Sequence, residues 1–183
     1  MINSSRCDFS AYKVRKLQEG ETIKSFDCGD EDLNDFILNN ANAYHEARLT
    51  ETYVYEHILN GDVIAYFSLA NDRISIDDFD NNTEFNRFRR HRFVNEKRIR
   101  NYPAVKICRL GINNSFHGFG IGSMLIDFIK LYYTKDNKAG CRFLTVDAYH
   151  KAVSFYERND FLSLRKHNDK THLLYYDLNE IVA

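Results

Sequence analysis

Glycines cluster in one short stretch of this chain. Four of the eight glycines lie between positions 111 and 122, namely Gly111, Gly118, Gly120 and Gly122. A predicted strand, Ala104–Ile112, precedes the cluster, and an amphipathic helix follows from about Gly120 to Thr134. Glycine allows positive φ and lets a ligand approach backbone N–H groups. The first turn of a helix adds unpaired N–H groups and the positive end of the dipole. The pattern predicts a diphosphate site. The alternative is a flexible surface turn with no ligand.

Two common phosphate-binding loops fit this stretch poorly. A P-loop requires Lys and then Ser or Thr after its last glycine, whereas Ser123 and Met124 follow Gly122 here. The dinucleotide fingerprint requires two residues between its second and third glycines. Only Ile121 separates Gly120 from Gly122. A different diphosphate-binding turn is therefore indicated.

The turn resembles motif A of the GNAT N-acetyltransferases, which reads Gln/Arg-x-x-Gly-x-Gly/Ala. His117, Gly120 and Gly122 occupy its three defining positions, with His in place of Gln or Arg. A second stretch, Asp147–His150 followed by Phe155-Tyr156-Glu157, resembles motif B. It departs from the family pattern in having His150 where Asn is common and Asp160 where Gly is common. The resemblance covers about residues 10–165.

This resemblance implies both a fold and a cofactor. The fold would be α/β, one GNAT domain over residues 1–183 with a mixed, mostly antiparallel sheet flanked by helices. That sheet would splay between strands four and five, and acetyl-CoA would bind in the gap. The residues expected to bind acetyl-CoA are Leu110, Gly111, Ile112, His117, Gly118, Phe119, Gly120, Ile121, Gly122, Ser123 and His150.

A narrower resemblance concerns the GNAT toxins of type II toxin–antitoxin pairs. It rests on short strings: Phe26-Asp27-Cys28-Gly29, Ala65–Ala70, and Tyr102-Pro103 ahead of Arg109-Leu110. Those enzymes acetylate the amino group of aminoacyl-tRNA. The likeness implies aminoacyl-tRNA as acceptor and an antitoxin as protein partner.

Acetyl transfer from a thioester requires a neutral amine, a polarised carbonyl and help for the leaving thiolate. Backbone N–H groups at Leu110–Ile112 could polarise the carbonyl as an oxyanion hole does. Tyr156, at the family's tyrosine position, is the candidate general acid because a phenol stays protonated at neutral pH. The alternative is that Tyr156 is simply a core aromatic.

No general base stands out. Asp147, His150 and Asp72 are polar candidates without a spacing argument. An α-amino group acylated on its carboxyl side has a pKa of at most about 8, so part of it is neutral at pH 7. The lack of an evident base therefore favours an aminoacyl group, or another amine of low pKa, as the acetyl acceptor.

His117 has two interpretations. As a motif A residue it could donate to a diphosphate oxygen. Otherwise it is an exposed loop histidine. The remaining histidines are dispersed, so no metal site is expected.

The segment Phe85–Arg100 is strongly basic, with six arginines and one lysine against one glutamate. Arg87, Arg89, Arg90 and Arg92 are candidates for contacting tRNA phosphates. The alternatives are a solvated face that pairs with the preceding acidic residues (Asp72, Asp77, Asp78, Asp80 and Glu84), and a contact with an antitoxin or a second subunit.

Composition limits the remaining possibilities. The formal charge is −1, which argues against a globally basic nucleic-acid binder. No secretory signal and no membrane-spanning run is found, so a cytoplasmic location and reduced thiols at Cys7, Cys28, Cys108 and Cys141 are expected.

Periodicity predicts further strands and helices around the glycine turn. Asn60-Gly61 is expected to form a type I′ hairpin turn. The other predicted elements are a helix over Asp30–Arg48, a helix over Lys151–Asn159, and strands over Tyr12–Leu17, Thr52–Leu59, Asp62–Ala70, Arg142–Ala148, Phe161–Leu164 and His172–Leu178.

The functional prediction is an acetyl-CoA-dependent N-acetyltransferase, with aminoacyl-tRNA as the preferred acceptor. An enzyme for a small amine or a protein amine is the first alternative. A non-catalytic module that binds CoA or a partner is the second.

Overall fold

The computed structural model describes residues 9–135, 139–166 and 170–182. The chain divides into two compact units. The first is Met1–Leu69 with Cys108–Leu125, and the second is Ala70–Ile107 with Ile126–Ala183.

The first unit contains an antiparallel hairpin and a covering helical stretch. Strands β1 (Tyr12–Lys16) and β2 (Glu51–His57) pair antiparallel, and β2 pairs with the first half of β3 (Val63–Ser75). The core of this unit includes Leu17, Phe26, Phe36, Ile37, Val54 and Tyr66.

The predicted single helix over Asp30–Arg48 is interrupted. Helix α1 (Glu31–Asp35) passes into a π-helical segment, Phe36–Asn40, before α2 (Ala41–Glu46) begins. The carboxylate of Asp30 caps α1 by accepting the Leu33 N–H at 3.3 Å. The apolar spacing correctly predicted the buried face, but a single π turn leaves no signal in that spacing.

The β2–β3 hairpin forms as predicted, but its turn is not type I′. Gly61 has φ +74°, whereas Asn60 has no positive φ, and a type I′ turn requires both. Instead His57 N–H donates to Asp62 O at 2.9 Å, and Gly61 N–H donates to His57 O at 2.9 Å. The turn is therefore longer than two residues. The pairing of β2 with β3 also shifts register between Tyr55 and Glu56, just before the turn.

The second unit carries the parallel strand pair. Strand β4 (Asn101–Ile112) begins before Pro103, and the Pro103 carbonyl accepts the Arg142 N–H at 2.9 Å. The other elements are α3 (Asn82–Arg89), α4 (Ile121–Thr134), β5 (Phe143–Tyr149), α5 (His150–Glu157), β6 (Leu162–Lys166) and β7 (Thr171–Asp177). Both β4 and α4 contribute residues to each unit.

Over the described residues the strand order is β1-β2-β3-β4-β5-β7-β6. Strands β4 and β5 pair in parallel only from Ala104↔Phe143 to Lys106↔Thr145, and both strands continue beyond that pairing. Strand β7 pairs antiparallel with both β5 and β6. The mixed, mostly antiparallel sheet flanked by helices confirms the predicted fold class. In the described residues, no helix is long and apolar enough to cross a membrane.

Candidate active site

The turn between β4 and α4 offers backbone donors. Gly118 has φ +82° and Gly120 has φ +80°, so two of the four clustered glycines adopt the left-handed conformation expected of them. The first bond of α4 runs from Met124 N–H to Gly120 O at 3.0 Å. The N–H groups of Ile121, Gly122 and Ser123 therefore precede the first N–H that donates within the helix, and they face outward as at any helix N-terminus, where an anion can bind.

Hydrogen bonds anchor the start of this turn. Asn113 N–H donates to Ile64 O at 2.8 Å, and Asn114 N–H donates to Asp27 O at 2.9 Å. The Asp27 carboxylate accepts the Gly29 N–H at 2.8 Å and the Asn34 side-chain N–H at 2.9 Å. These bonds lower the pKa of Asp27, the Gly29 N–H contributing most. The stretch Phe26–Gly29 thus positions the start of the glycine-rich turn. The sequence shows this stretch as a family-like string but does not show that role.

Gly111 has a packing role, and the contact with acetyl-CoA predicted for it stays a prediction. A Cβ at this position would lie 2.7 Å from Tyr66 Cε1 and 3.3 Å from Phe26 Cε1. Its φ is not positive. Only glycine fits because the two aromatic side chains fill the space. Leu110 and Ile112, on either side, are half-buried.

His117 turns back onto the strand it follows. Its Nε2 lies 2.7 Å from Ile112 O, and since a carbonyl only accepts, Nε2 must carry a proton. In neutral His117, Nδ1 is then an acceptor and cannot donate to a phosphate. The side chain gains a second donor only as imidazolium. Phe119, two residues after His117, is 48% exposed.

Tyr156 lies on α5 and is buried, with 6% exposure. Its ring makes edge contacts with Phe155 at 5.0 Å and Phe161 at 5.4 Å between centroids. Burial raises the pKa of the phenol, so the hydroxyl stays protonated throughout the physiological range. Tyr156 is therefore protonated at neutral pH, and the raised pKa makes it a weaker acid than a free phenol.

Asp160 explains one departure from the family pattern. It has φ +66°, the left-handed conformation that glycine adopts most easily. Lys130 holds this corner, with Nζ 2.9 Å from Asn159 O and 3.3 Å from Asp160 Oδ2. Aspartate tolerates this conformation better than most residues, so the backbone shape survives the substitution.

The three candidate bases are differently engaged. Asp147 Oδ2 lies 2.6 Å from Lys106 Nζ. Asp72 Oδ2 accepts from Thr145 Oγ1 at 2.5 Å. His150 is exposed, and its ring contacts that of His172 edge-on at 4.8 Å. These contacts do not single out any of the three as the general base.

The four arginines expected to contact tRNA fall into two pairs. Arg89 donates to Glu96 O at 2.9 Å and lies over the Phe85 ring, while Arg92 lies 4.7 Å from the Phe88 centroid. These two side chains hold the segment together. Arg87 and Arg90 are exposed. Among the described residues, no ion pair joins any of the four to Asp72, Asp78, Asp80 or Glu84.

The cysteines were predicted to be reduced thiols. Cys28, Cys108 and Cys141 form no disulfide, and Cys7 lies outside the described residues. Burial raises the pKa of Cys141 to about 11. The described ranges contain no group of three or more His, Cys, Asp or Glu side chains arranged to hold a metal ion.

The sheet order, the parallel β4–β5 pair and the glycine-rich turn ahead of α4 together define an acetyltransferase of the GNAT class. The family model for the acetyltransferase (GNAT) domain matches residues 83–178, slightly more than half of the chain. The chain therefore belongs to the GNAT acetyltransferase family.

Solved structures of similar fold include two toxins. AtaT complexed with acetyl-methionyl-tRNAfMet has a TM-score of 0.74 and 22% identity, over 93% of this chain and 97% of that one. A tyrosine-to-phenylalanine mutant of KacT has a TM-score of 0.75 and 24% identity, over 94% and 98%. A tyrosine-to-phenylalanine mutant of AtaT, bound to the C-terminus of the antitoxin AtaR and acetyl-CoA, has a TM-score of 0.71 and 20% identity, over 93% and 96%. No curated protein matches the chain.

Proposed function

We propose that this protein transfers the acetyl group of acetyl-CoA to the α-amino group of aminoacyl-tRNA and arrests translation as a toxin. Family membership supports the acetyl transfer. The likeness to AtaT, whose structure includes acetyl-methionyl-tRNAfMet, supports the acceptor. The observation on which the proposal depends most is the turn at Gly118–Ser123, with its left-handed glycines and unpaired helix N–H groups.

In this proposal the turn binds the diphosphate of acetyl-CoA. The N–H groups of residues 118–123 supply the donors, and His117 adds a charge-assisted bond only when it is protonated. The backbone of Leu110–Ile112 would bind the pantetheine arm and polarise the thioester carbonyl. Gly111 would serve here through its backbone alone, since the space over its Cα is taken by Tyr66. His150, exposed at the start of α5, would complete the cofactor contacts.

Tyr156 would protonate the departing thiolate of CoA. Its raised pKa keeps the phenol protonated, which an acid requires. Two of the similar toxin structures carry a tyrosine-to-phenylalanine change. The same change at Tyr156 tests the acid role here. The attacking α-amino group needs no strong base, because its pKa of about 8 or below leaves a neutral fraction at pH 7.

The exposed arginines would contact the RNA. Arg87 and Arg90 project into solvent from the end of α3, and Arg98 and Arg100 are exposed further along the same segment. Guanidinium groups suit phosphate recognition because of their planar, bidentate geometry. Arg89 and Arg92 would support this surface by holding its backbone against Phe85 and Phe88.

The decisive experiment is an acceptor competition. The purified protein is incubated with labelled acetyl-CoA and a mixture of aminoacyl-tRNAs, peptides and polyamines, and each fraction is assayed for label. We expect label on the aminoacyl-tRNA fraction. Label confined to peptides or polyamines would refute the acceptor but not the enzyme. If calorimetry showed no binding of acetyl-CoA, the whole proposal would fail.

The arginine surface needs a matched comparison. Arg87→Gln/Arg90→Gln should raise the KM for aminoacyl-tRNA and leave the KM for acetyl-CoA unchanged. The control is Arg48→Gln/Arg158→Gln, which removes the same charge from two other exposed positions. Equal effects of the two double variants would show that overall charge, rather than this surface, matters.

The proposal places the protein in the cytoplasm, where charged tRNA is found, and gives it an antitoxin as partner. An AtaT structure includes the C-terminus of the antitoxin AtaR. Expression in a bacterial host should arrest growth, and Tyr156→Phe should relieve the arrest. Unimpaired growth with a protein that is folded and expressed would contradict the toxin role.

A further inference from the structure

Arg109, on β4, lies against aromatic rings rather than against a polar partner from the described residues. Its Cζ lies 3.7 Å from the centroid of the Phe36 ring and 5.1 Å from that of Tyr44. The side chain is half-buried, yet within the described ranges it makes no hydrogen bond and no ion pair. The guanidinium thus packs against aromatic rings with its N–H donors unused.

Every other half-buried arginine whose side chain the structure describes is satisfied. Arg15 donates to Glu21 at 2.7 Å and to Glu56 at 2.8 Å, and Arg142 lies 2.9 Å from Asp177. Arg89 and Arg92 donate to a carbonyl and to a tyrosine hydroxyl. Arg15 lines a cavity of about 750 Å³ in the first unit, but its own charge is paired with Glu21 and Glu56. Arg109 is therefore the exception among these residues.

The contacts of Arg109 fix what it can recognise. The Phe36 ring covers one face of the guanidinium, so a base could stack only on the other face. The donors along the edge of the plane stay available, and a planar fork of N–H groups matches a phosphate. Removing part of the water around an unpaired charge costs free energy. A bound anion would offset that cost for Arg109.

The aromatic support is itself unusual. Phe36 is the first residue of the π-helical segment Phe36–Asn40, and such turns inside helices are frequent at functional sites. Phe36 and Tyr44 contact each other edge-on at 5.3 Å, so the two rings form a fixed platform. Arg109 also directly precedes Leu110–Ile112, the segment proposed to hold the thioester.

We infer that Arg109, on the Phe36–Tyr44 platform, anchors a phosphate group of the acetyl acceptor. The inference rests on the proposed function, in which that group is a phosphodiester at the 3′ end of aminoacyl-tRNA. The diphosphate of acetyl-CoA already has its donors in the Gly118–Ser123 turn. Arg109 would instead set the position of the acceptor and discriminate against amines that carry no phosphate.

The test separates acceptor from cofactor. Arg109→Gln should raise the KM for aminoacyl-tRNA about ten- to a hundred-fold, the range expected when a hydrogen-bonded charge contact is lost. Arg109→Lys, which keeps the charge but loses the fork, should fall between this variant and the wild type. The KM for acetyl-CoA should not change. Arg48→Gln, an exposed arginine of the same unit, is the control.

A binding measurement needs no turnover. Affinity for uncharged tRNA is measured over a range of salt concentrations. In Arg109→Gln the slope of log affinity against log salt should fall by about 0.7, the value for one phosphate contact on a single strand. Arg48→Gln should keep the wild-type slope. Thermal melting identifies a folding defect, in which case Arg109→Lys carries the test.

Three outcomes would overturn the inference. One is an unchanged KM and slope in Arg109→Gln while the wild type acetylates aminoacyl-tRNA, which leaves the proposed function intact. Another is a rise in the KM for acetyl-CoA alone, which would assign Arg109 to the cofactor. The third is a wild type that acetylates no aminoacyl-tRNA, which refutes the proposed function as well.

Discussion

The two units of the chain differ in the polar groups that they offer to a ligand. Within the described part of the first unit, no bond is made by the N–H groups of Ile121–Ser123 at the start of α4 or by the guanidinium of Arg109. In the second, Arg89 and Arg92 are bonded or stacked within their own segment, and the candidate reactive group is Tyr156. In the proposed function, the first unit binds the diphosphate of acetyl-CoA and the second supplies the proton donor. RNA phosphates are contacted from both units, by Arg109 in the first and by Arg87 and Arg90 in the second. Substitutions in the first unit should then change affinity, and substitution of Tyr156 should change the rate.

The largest effect is expected at Tyr156. Tyr156→Phe removes the hydroxyl and keeps the ring contacts, so kcat should fall by about 10²- to 10⁴-fold with both KM values unchanged. Steady-state kinetics with saturating acetyl-CoA measures this. Tyr132→Phe, the same change at a 49% exposed position, is the control. A Tyr156→Phe enzyme of full activity would remove the acid role and break the proposed division.

Gly111→Ala tests packing in the first unit. The added methyl group would lie 2.7 Å from Tyr66, so the free energy of unfolding should fall by about 1–3 kcal/mol. Denaturant unfolding gives this value. Gly140→Ala is matched to it, because a Cβ at Gly140 meets nothing within 4 Å. If the two variants were equally stable, the packing explanation would be wrong.

Gly120→Ala tests the turn. An alanine held at φ +80° costs about 1–2 kcal/mol. If the turn must keep this shape to bind acetyl-CoA, the Kd should rise about 5- to 30-fold. Gly61→Ala imposes the same strain at φ +74° in the β2–β3 turn and should leave the Kd unchanged. Calorimetry on both variants decides, and equal Kd values would separate the turn from the cofactor.

The smallest effect concerns acid stability of the first unit. Arg15 holds the pKa of Glu21 and of Glu56 below the usual range through hydrogen bonds. A carboxylate whose pKa is lower in the folded state stabilises the fold above its unfolded pKa, about 4.3, and loses this contribution as the pH falls. The stability difference between wild type and Arg15→Gln should therefore be largest near neutral pH and shrink below about pH 4. A difference independent of pH would contradict the role of these ion pairs.

Much of the fold was predictable because local patterns determine it. The strands, the hairpin and α4 follow from apolar periodicity, and the turn at Gly118 and Gly120 follows from glycine's access to positive φ. The resemblance to the GNAT family extended these local predictions to the sheet order. Element boundaries and the hairpin turn were less accurate, because they depend on hydrogen bonds between distant segments.

The parts of the candidate site that were missed depend on tertiary contacts. Nothing in the sequence around Arg109 shows that Phe36 and Tyr44 will pack on its guanidinium. Similarly, a run of arginines cannot reveal that Arg89 and Arg92 fold inwards while Arg87 and Arg90 stay exposed. Gly111 looks like its neighbours in sequence, and only the position of Tyr66 gives it a different role.

The bond between Asn114 N–H and Asp27 O has a consequence for the order of folding. It joins segments 87 residues apart, and closing so long a loop carries an entropic cost that local helix formation does not. Contacts of this separation form slowly in folding. A chain still emerging from the ribosome therefore cannot anchor this turn until β4 has been synthesised, and the capacity to hold coenzyme A is acquired late.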